Sequence, residues 1–195
     1  DRFYIASDGN NAIFAYDIGS FQTVDRYFSN VSLLLHGDGT DGSTTFTDSS
    51  SNNFTVTANG DAQIDTAIVK YGTGSMQFDG VNDYLSIPDS TAFHLDDGDF
   101  TFECWVYFNS VSSGALIAKH APNIPWWFEV RLSSQKILTQ VSFVADQWDL
   151  SFSSSSTVTT GQWYHIALSR DGSTFRTFID GVLEATATDA RAISN

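Results

Sequence analysis

The chain has 195 residues, with 9 basic side chains against 23 acidic ones, a formal net charge of −14, and 42% apolar and 14% aromatic residues. A chain of this size buries roughly 70% of its unfolded surface. Its charge gives phosphates no cationic footprint and repels anionic membranes, which excludes nucleic acid and membrane insertion as modes of action. No run approaches the roughly 18 apolar residues that a membrane helix needs. The single cysteine, Cys104, excludes an internal disulfide framework and a thiolate metal cluster.

The chain opens at Asp1 without a methionine or a signal-like stretch, and reads as a segment of something longer. Residues 3–6 and 12–17 flank a Ser-Asp-Gly-Asn-Asn turn and predict a hairpin. A mixed connector over 18–30 follows, which puts a soft boundary near residue 30 and divides the chain into 1–30 and 31–195. The hairpin either ends a preceding domain, serves as a docking segment, or pairs with an edge of the sheet that follows. Beyond it the chain reads as strands. Ser, Thr, Asp, Asn and Gly separate short β-rich runs, and good helix formers are scarce. Strands are predicted over 31–36, 53–57, 76–79 and 83–87. Residues 99–108 alternate strictly, with Phe100, Phe102, Cys104, Val106 and Phe108 on one side and Thr101, Glu103, Trp105 and Tyr107 on the other. Cys104 therefore reads as a buried small hydrophobe. Further strands are predicted over 115–119, 127–132, 137–145 and 149–152. A closing meander over 163–170, 174–179 and 182–188 is joined by turns at Asp171-Gly172 and Asp180-Gly181. About a dozen short strands with turn signals between them predict an all-β fold, a two-sheet antiparallel sandwich.

Six stretches in order carry a resemblance. They are Val-Ser-Leu-Leu-Leu-His-Gly-Asp-Gly-Thr (31–40), Thr-Phe-Thr-Asp-Ser-Ser (45–50) and Phe-Thr-Val-Thr-Ala-Asn-Gly (54–60). Then come Phe-Asp-Gly (78–80) with Asp-Tyr-Leu-Ser-Ile-Pro (83–88), Asp-Phe-Thr-Phe-Glu-Cys-Trp-Val (99–106), and Gln-Trp-Tyr-His-Ile-Ala-Leu-Ser-Arg (162–170) leading to Ile-Asp-Gly (179–181). This series resembles the laminin-G/pentraxin-like branch of the concanavalin A-like lectin/glucanase superfamily, from about residue 31 to 195. The opening stretch is similar to copies carried in structural proteins of tailed bacteriophages, cyanophages in particular. The resemblance implies a jelly-roll of two antiparallel sheets that binds glycans or protein surfaces, often with rim calcium and often in many copies. In phages it implies a virion or extracellular place, in fibres, appendages or capsid decorations. Relatives continue past the region of Thr188 with further strands, so either the last strands are missing here or the 3–17 hairpin fills their positions; unfilled positions would leave open sheet edges.

The glucanase relatives place two carboxylates on one strand face to flank a glycosidic bond. Glu103, Glu129 and Glu184 have no second acid at i+2 or i+4, and no nucleophile elbow, phosphate loop or zinc motif occurs, so no catalytic residues are expected. Calcium, the candidate cofactor, needs six to eight oxygen ligands. Acidic loops at 38–41, 79–83 and 96–99 offer oxygens, with Asp79, Asn82 and Asp83 the first choice, although Asp and Asn beside Gly are also ordinary turn chemistry. The pentraxin-type mid-domain Asp-Asn pair is absent from the 119–123 loop. For glycan, flat rings are the natural platform. Trp126 and Trp127 follow Pro122 and Pro125 in an expected loop beside His120 and Asn123, and Trp148 follows Gln147, which makes these five the candidate glycan-binding residues. Trp105, Trp163 and His165 read as packed strand residues, and the four histidines share no metal-binding spacing. Two Asn-X-Ser/Thr acceptor patterns, at Asn30 and Asn53, carry no weight in so Ser/Thr-rich a chain. The expectation is a non-enzymatic virion module for display and host-surface glycan attachment. The alternatives are a purely structural decoration domain binding neighbouring virion proteins and a bacterial extracellular adhesin.

Overall fold

A computed structural model describes residues 3–7, 26–121, 124–144 and 147–193, with the backbone alone for 3–7, 120–121 and 124–127. The chain divides into two compact units, Asp1–Phe93 and His94–Asn195. The limit expected at residue 30 falls inside the first.

In the first unit, β1 (Phe3–Ser7) pairs antiparallel with β2 (Val31–Leu35), with Phe3 opposite Leu35 and Ile5 opposite Leu33. The return arm expected at 12–17 lies outside the described residues. All five residues of β2 are buried, the polar Ser32 together with Val31 and the Leu33–Leu35 run. Two short ladders follow: β3 (Thr57–Asn59) with β6 (Tyr84–Ser86), and β4 (Gln63–Asp65) with β5 (Ser75–Gln77). The strand expected over 53–57 is displaced to Thr57–Asn59. Asn53 takes the left-handed conformation at φ 49°, and the Phe54 N–H donates to Asp48 Oδ2 at 2.8 Å rather than to a neighbouring strand. Strand β4 was not expected. Only Ile64 in it is apolar, and its pairing with β5 supplies the order that the three residues lack by themselves.

The second unit is a two-layer sandwich. One layer runs β14-β13-β12-β7 and the other β11-β10-β9-β8, all antiparallel. Their ranges are β7 Phe100–Tyr107, β8 Gly114–Ala121, β9 Ile124–Ser133, β10 Lys136–Val141, β11 Leu150–Ser153, β12 Trp163–Asp171, β13 Thr174–Ile179 and β14 Val182–Thr188. The alternation in β7 is realised. Phe100, Phe102 and Cys104 are buried, and Phe100 meets Phe128 of the opposite layer edge-on, with centroids 5.6 Å apart. Burial pushes the Cys104 thiol well above its ordinary range, with the Glu103 charge adding to the effect, so it acts as a small hydrophobe. Phe175 of β13 collects Phe143 and Phe152 edge-on from the other side, both at 6.5 Å. The buried Thr139 and Thr177 hydroxyls satisfy each other across the layers at 3.3 Å.

The closing meander corrects one expected turn and bears out the other. Asp171 pairs with Thr174, so Gly172 and Ser173 form the loop, with Gly172 at φ 57°. Asp180 (φ 50°) and Gly181 (φ 78°) sit between the paired Ile179 and Val182, the positive-φ pair that a two-residue hairpin wants. Strand β10 ends at Val141, four residues before its expected end, because the Phe143 and Val144 N–H groups turn to the Asp149 carboxylate.

Candidate functional site

Register brings the candidate tryptophans to one end of the β8–β11 layer. Val141, the last residue of β10, lies opposite Phe128, so residues 124–127 of β9 extend beyond β10 on that side. The connection from β10 to β11, which carries Trp148, leaves the layer at this same end. Trp126 was expected on a loop that ran up to Trp127, the first residue of the strand expected over 127–132, and the structure places both inside β9, which starts three residues earlier. Pro125 was the misleading signal. It falls where β9 lacks its β10 neighbour, so its missing N–H leaves no ladder bond to β10 unmade. His120 lies in β8, and Ala121 pairs with Ile124; Asn123 lies outside the described residues.

The β10–β11 connection is a braced loop. Asp149 Oδ2 accepts the N–H groups of Phe143 (2.8 Å) and Val144 (3.0 Å), and Oδ1 accepts from Gln147 Nε2 (3.0 Å) and Arg191 Nη1 (3.2 Å). The Phe143 N–H, with the other donors behind it, outweighs desolvation and holds the Asp149 carboxyl below its ordinary range. The Arg191 guanidinium lies over the Phe143 ring at 4.4 Å. Trp148 is half-buried next to this brace, and Val144 is exposed.

The outer face of β7 and β12 carries a second aromatic group, which the sequence reading had placed in packing roles. Trp105 lies opposite His165 and Tyr107 opposite Trp163, with ring centroids 5.2 and 5.6 Å apart, and all four are half-buried. The signal was present in the sequence: Glu103, Trp105 and Tyr107 are alternate positions on the face opposite the Phe100 row. Glu103 is buried beside them, its Oε2 3.4 Å from His165 Nε2.

Glu129 is also buried, but it projects from the outer face of the other layer. The alternate residues Phe128, Val130 and Leu132 fill the core, while Arg131 Nη1 meets Glu129 Oε2 at 3.4 Å. Glu103 and Glu129 thus stand on opposite outer faces with the apolar core between them. Glu184 is engaged by the Ser155 hydroxyl (2.5 Å) and the Ser156 N–H (2.7 Å).

The acidic turns are closed by their own backbone. Asp83 Oδ2 accepts the Asp79 N–H at 2.8 Å, Asp83 Oδ1 accepts the Asp61 N–H at 2.6 Å, and Asp79 Oδ1 accepts the Val81 N–H at 2.6 Å. Asn82 turns the chain at φ 61°. Gly60 is required beside it, because a Cβ there would run into the Asp83 carboxylate and the Asn82 carbonyl. The other loops repeat the device: Asp38 accepts from Thr73, Asp41 from Thr66, and Asp99 from Gly172. Oxygens that face N–H donors are poor members of a six-to-eight-oxygen cage, and these bonds close the 79–83 turn without a metal. Among the described residues no group of three or more His, Cys, Asp or Glu is placed to hold a metal. Adding excess EDTA is therefore expected to leave the melting temperature within about 1 °C; a drop of several degrees, restored by calcium, would show that the turn is a metal site.

A family model described as "Concanavalin A-like lectin/glucanases superfamily", of laminin G type, matches residues 79–195, more than half of the chain. The chain belongs to this superfamily. The match takes in the whole β7–β14 sandwich, and the superfamily's two antiparallel layers are those described above. No curated protein matches the chain. Among solved structures the chain is similar to an S-layer domain-containing protein (residues 221–444) from Clostridium thermocellum ATCC 27405, at 20% identity and a TM-score of 0.42, covering 82% of this chain and 73% of that one.

Proposed function

We propose that the chain is a non-catalytic, lectin-like attachment module that binds glycan at the rim where β9 outruns β10. The observation that carries this reading is the register: it places Trp126 and Trp127 at the same end of one layer as Trp148, beside a loop that Asp149 and Arg191 hold in shape. A braced loop loses little freedom on binding, and flat rings offer sugar faces apolar area at small entropic cost. The separation of Glu103 and Glu129 by the core supports the absence of hydrolysis, since the two cannot flank one glycosidic bond. The turns closed by N–H groups support action without calcium. The similarity of the 31–40 stretch to tailed-phage structural proteins supports a place on a virion, where many copies turn weak contacts into avidity. The strong negative charge supports a partner that is neither nucleic acid nor an anionic surface.

A glycan array probed with the multimerised chain, with and without EDTA, tests this. Saturable binding to a defined glycan class is expected, insensitive to chelation. Trp148→Ala is expected to weaken it about tenfold, the equivalent of roughly 1.4 kcal/mol, with the fold unchanged by circular dichroism. A blank array would sink the lectin role and favour a decoration domain that only binds neighbouring virion proteins.

A further inference from the structure

The first unit holds a cavity of about 190 Å³ that the rim does not use. Its walls come from the end of β2 and the turn after it, from the 46–49 segment and from β4. Leu35, Phe46 and Ile64 are buried and make its interior apolar, while Asp38, Thr47 and Ser49 are exposed at its mouth beside the half-buried His36. The framing residues are pinned. Asp38 Oδ1 accepts the Thr73 N–H (2.6 Å) and hydroxyl (3.1 Å). The Ser49 N–H donates to the Leu34 carbonyl (2.8 Å), and Ile64 donates to the Ser43 carbonyl (2.8 Å) and accepts the Gly42 N–H (2.9 Å). Asp48, between Thr47 and Ser49, holds the N–H groups of Leu34, Ser50 and Phe54. The cavity is therefore formed before any ligand arrives, and filling it orders little that was mobile. The Thr47 and Ser49 hydroxyls, by contrast, bond to no other side chain or carbonyl among the described residues.

Size and lining narrow the ligand. Pockets for drug-sized molecules measure roughly 300–1,000 Å³, and a six-membered carbon ring seats in about 150 Å³. A cavity of about 190 Å³ thus takes one ring, with its substituents at the mouth. The apolar interior excludes a small ion, which would lose its hydration there. A mouth of hydroxyls and a carboxylate suits a ring that carries hydroxyls at its edge, because each hydroxyl both donates and accepts. Asp38 and the chain's net charge of −14 oppose an anionic ring.

We propose that this cavity binds one neutral pyranose residue, its ring C–H groups against Leu35, Phe46 and Ile64 and its hydroxyls toward Thr47, Ser49 and Asp38. It is a second sugar site, on a different unit from the rim, and it does not rest on the rim reading.

The test uses the full chain and reads the NMR signals of the Leu35 and Ile64 methyl groups beside the indole N–H signal of Trp148. The probes are the methyl glycosides of glucose, galactose, mannose and N-acetylglucosamine, titrated to about 50 mM, which saturates a site with a Kd of about 5 mM or tighter. The controls are tetrahydropyran-2-methanol, a ring without ring hydroxyls, sorbitol, hydroxyls without a ring, and the anionic methyl glucuronide. At least one glycoside is expected to shift both methyl signals saturably, and the controls are expected to bind about tenfold more weakly or not at all. Thr47→Ala combined with Ser49→Ala, both at exposed positions, is expected to weaken binding about tenfold with the circular dichroism spectrum unchanged. Should the pair fail to fold, each single variant is read instead and is expected to weaken binding about threefold. No saturable shift with any glycoside, a control that binds as tightly as the glycosides, or unchanged affinity in the variants read overturns the proposal. A shift of Trp148 alone puts the sugar at the rim and overturns it too, whereas shifts of Leu35 and Ile64 with Trp148 silent uphold it whatever becomes of the rim.

Discussion

Asp48→Ala is expected to destabilise the first unit by about 3–5 kcal/mol. Asp48 is 3% exposed and accepts four hydrogen bonds. Oδ1 takes the N–H groups of Leu34 (3.0 Å) and Ser50 (2.8 Å), and Oδ2 takes the Ser50 hydroxyl (2.8 Å) and the Phe54 N–H (2.8 Å). One carboxylate thus closes the 48–54 loop on itself and fastens it to β2. Alanine leaves three backbone N–H groups without acceptors. Asp48→Asn keeps the shape but turns an amide group toward two donors, and is expected to cost about 2–3 kcal/mol. Urea denaturation measures both, and faster hydrogen exchange at Leu34 and Phe54 locates the effect. Losses below 1 kcal/mol would mean that water replaces the carboxylate.

The same residue fixes an acid dependence. Burial by itself would raise the Asp48 pKa, but the N–H donors of Leu34, Ser50 and Phe54 outweigh it and hold it below the ordinary carboxylate value. A depressed folded-state pKa means that the stabilisation is complete above the unfolded value of about 3.9 and is lost as pH falls through the folded one. The stability gap between the wild-type chain and Asp48→Asn is therefore expected to be constant from neutral pH down to about 4 and to narrow below it.

Arg170→Leu is expected to destabilise the second unit by a similar amount, about 3–5 kcal/mol, and Arg170→Lys by about 2–3 kcal/mol. Arg170 is 2% exposed. Nε donates to the Gly172 carbonyl (2.9 Å), Nη1 to that of Asp96 (2.7 Å) and Nη2 to that of Arg191 (2.9 Å), while the guanidinium lies 5.1 Å from the centre of the Phe175 ring. One planar fork joins the β12–β13 turn, the entry to β7 and the segment after β14. The Ile193 N–H reaches the same Asp96 carbonyl at 2.7 Å. Desolvation lowers the Arg170 pKa, with Asp97, Asp99 and Asp189 opposing it, and the group remains charged at any working pH. A lysine ammonium, a point donor on a shorter reach, cannot meet three carbonyls set in a fan. Urea midpoints of the two variants check the order; a lysine variant as stable as the wild-type chain would show that charge alone matters at this site.

The sandwich was legible wherever one periodicity filled a whole strand. In β7 the Phe100, Phe102 and Cys104 row alternates with polar positions, and in β12, β13 and β14 the turn residues mark the ends within a residue. Legibility failed where a side chain diverts backbone hydrogen bonds. Asp48 captures the Phe54 N–H and moves β3; Asp149 captures those of Phe143 and Val144 and shortens β10. Acceptors of this kind act across five or six residues, and no strand period records them. The candidate site divides in the same way. Its tryptophans could be named from composition, but Pro125 put Trp126 on a loop and started the strand too late, and Trp105, Trp163 and His165 were assigned to packing because a strand position alone does not say which face stays partly open.

By itself the sequence determined the all-β class, the antiparallel meander and the apolar face of each long strand, because alternation and Asp-Gly turns are local properties of the chain. Only the tertiary structure decided that Glu103 and Glu129 stand on opposite sides of the core, that the acidic loops are tied by their own N–H groups, and that Trp148 shares an end of the layer with Trp126 and Trp127. Those are facts of register and layering, and register is set by pairing between residues far apart in the chain.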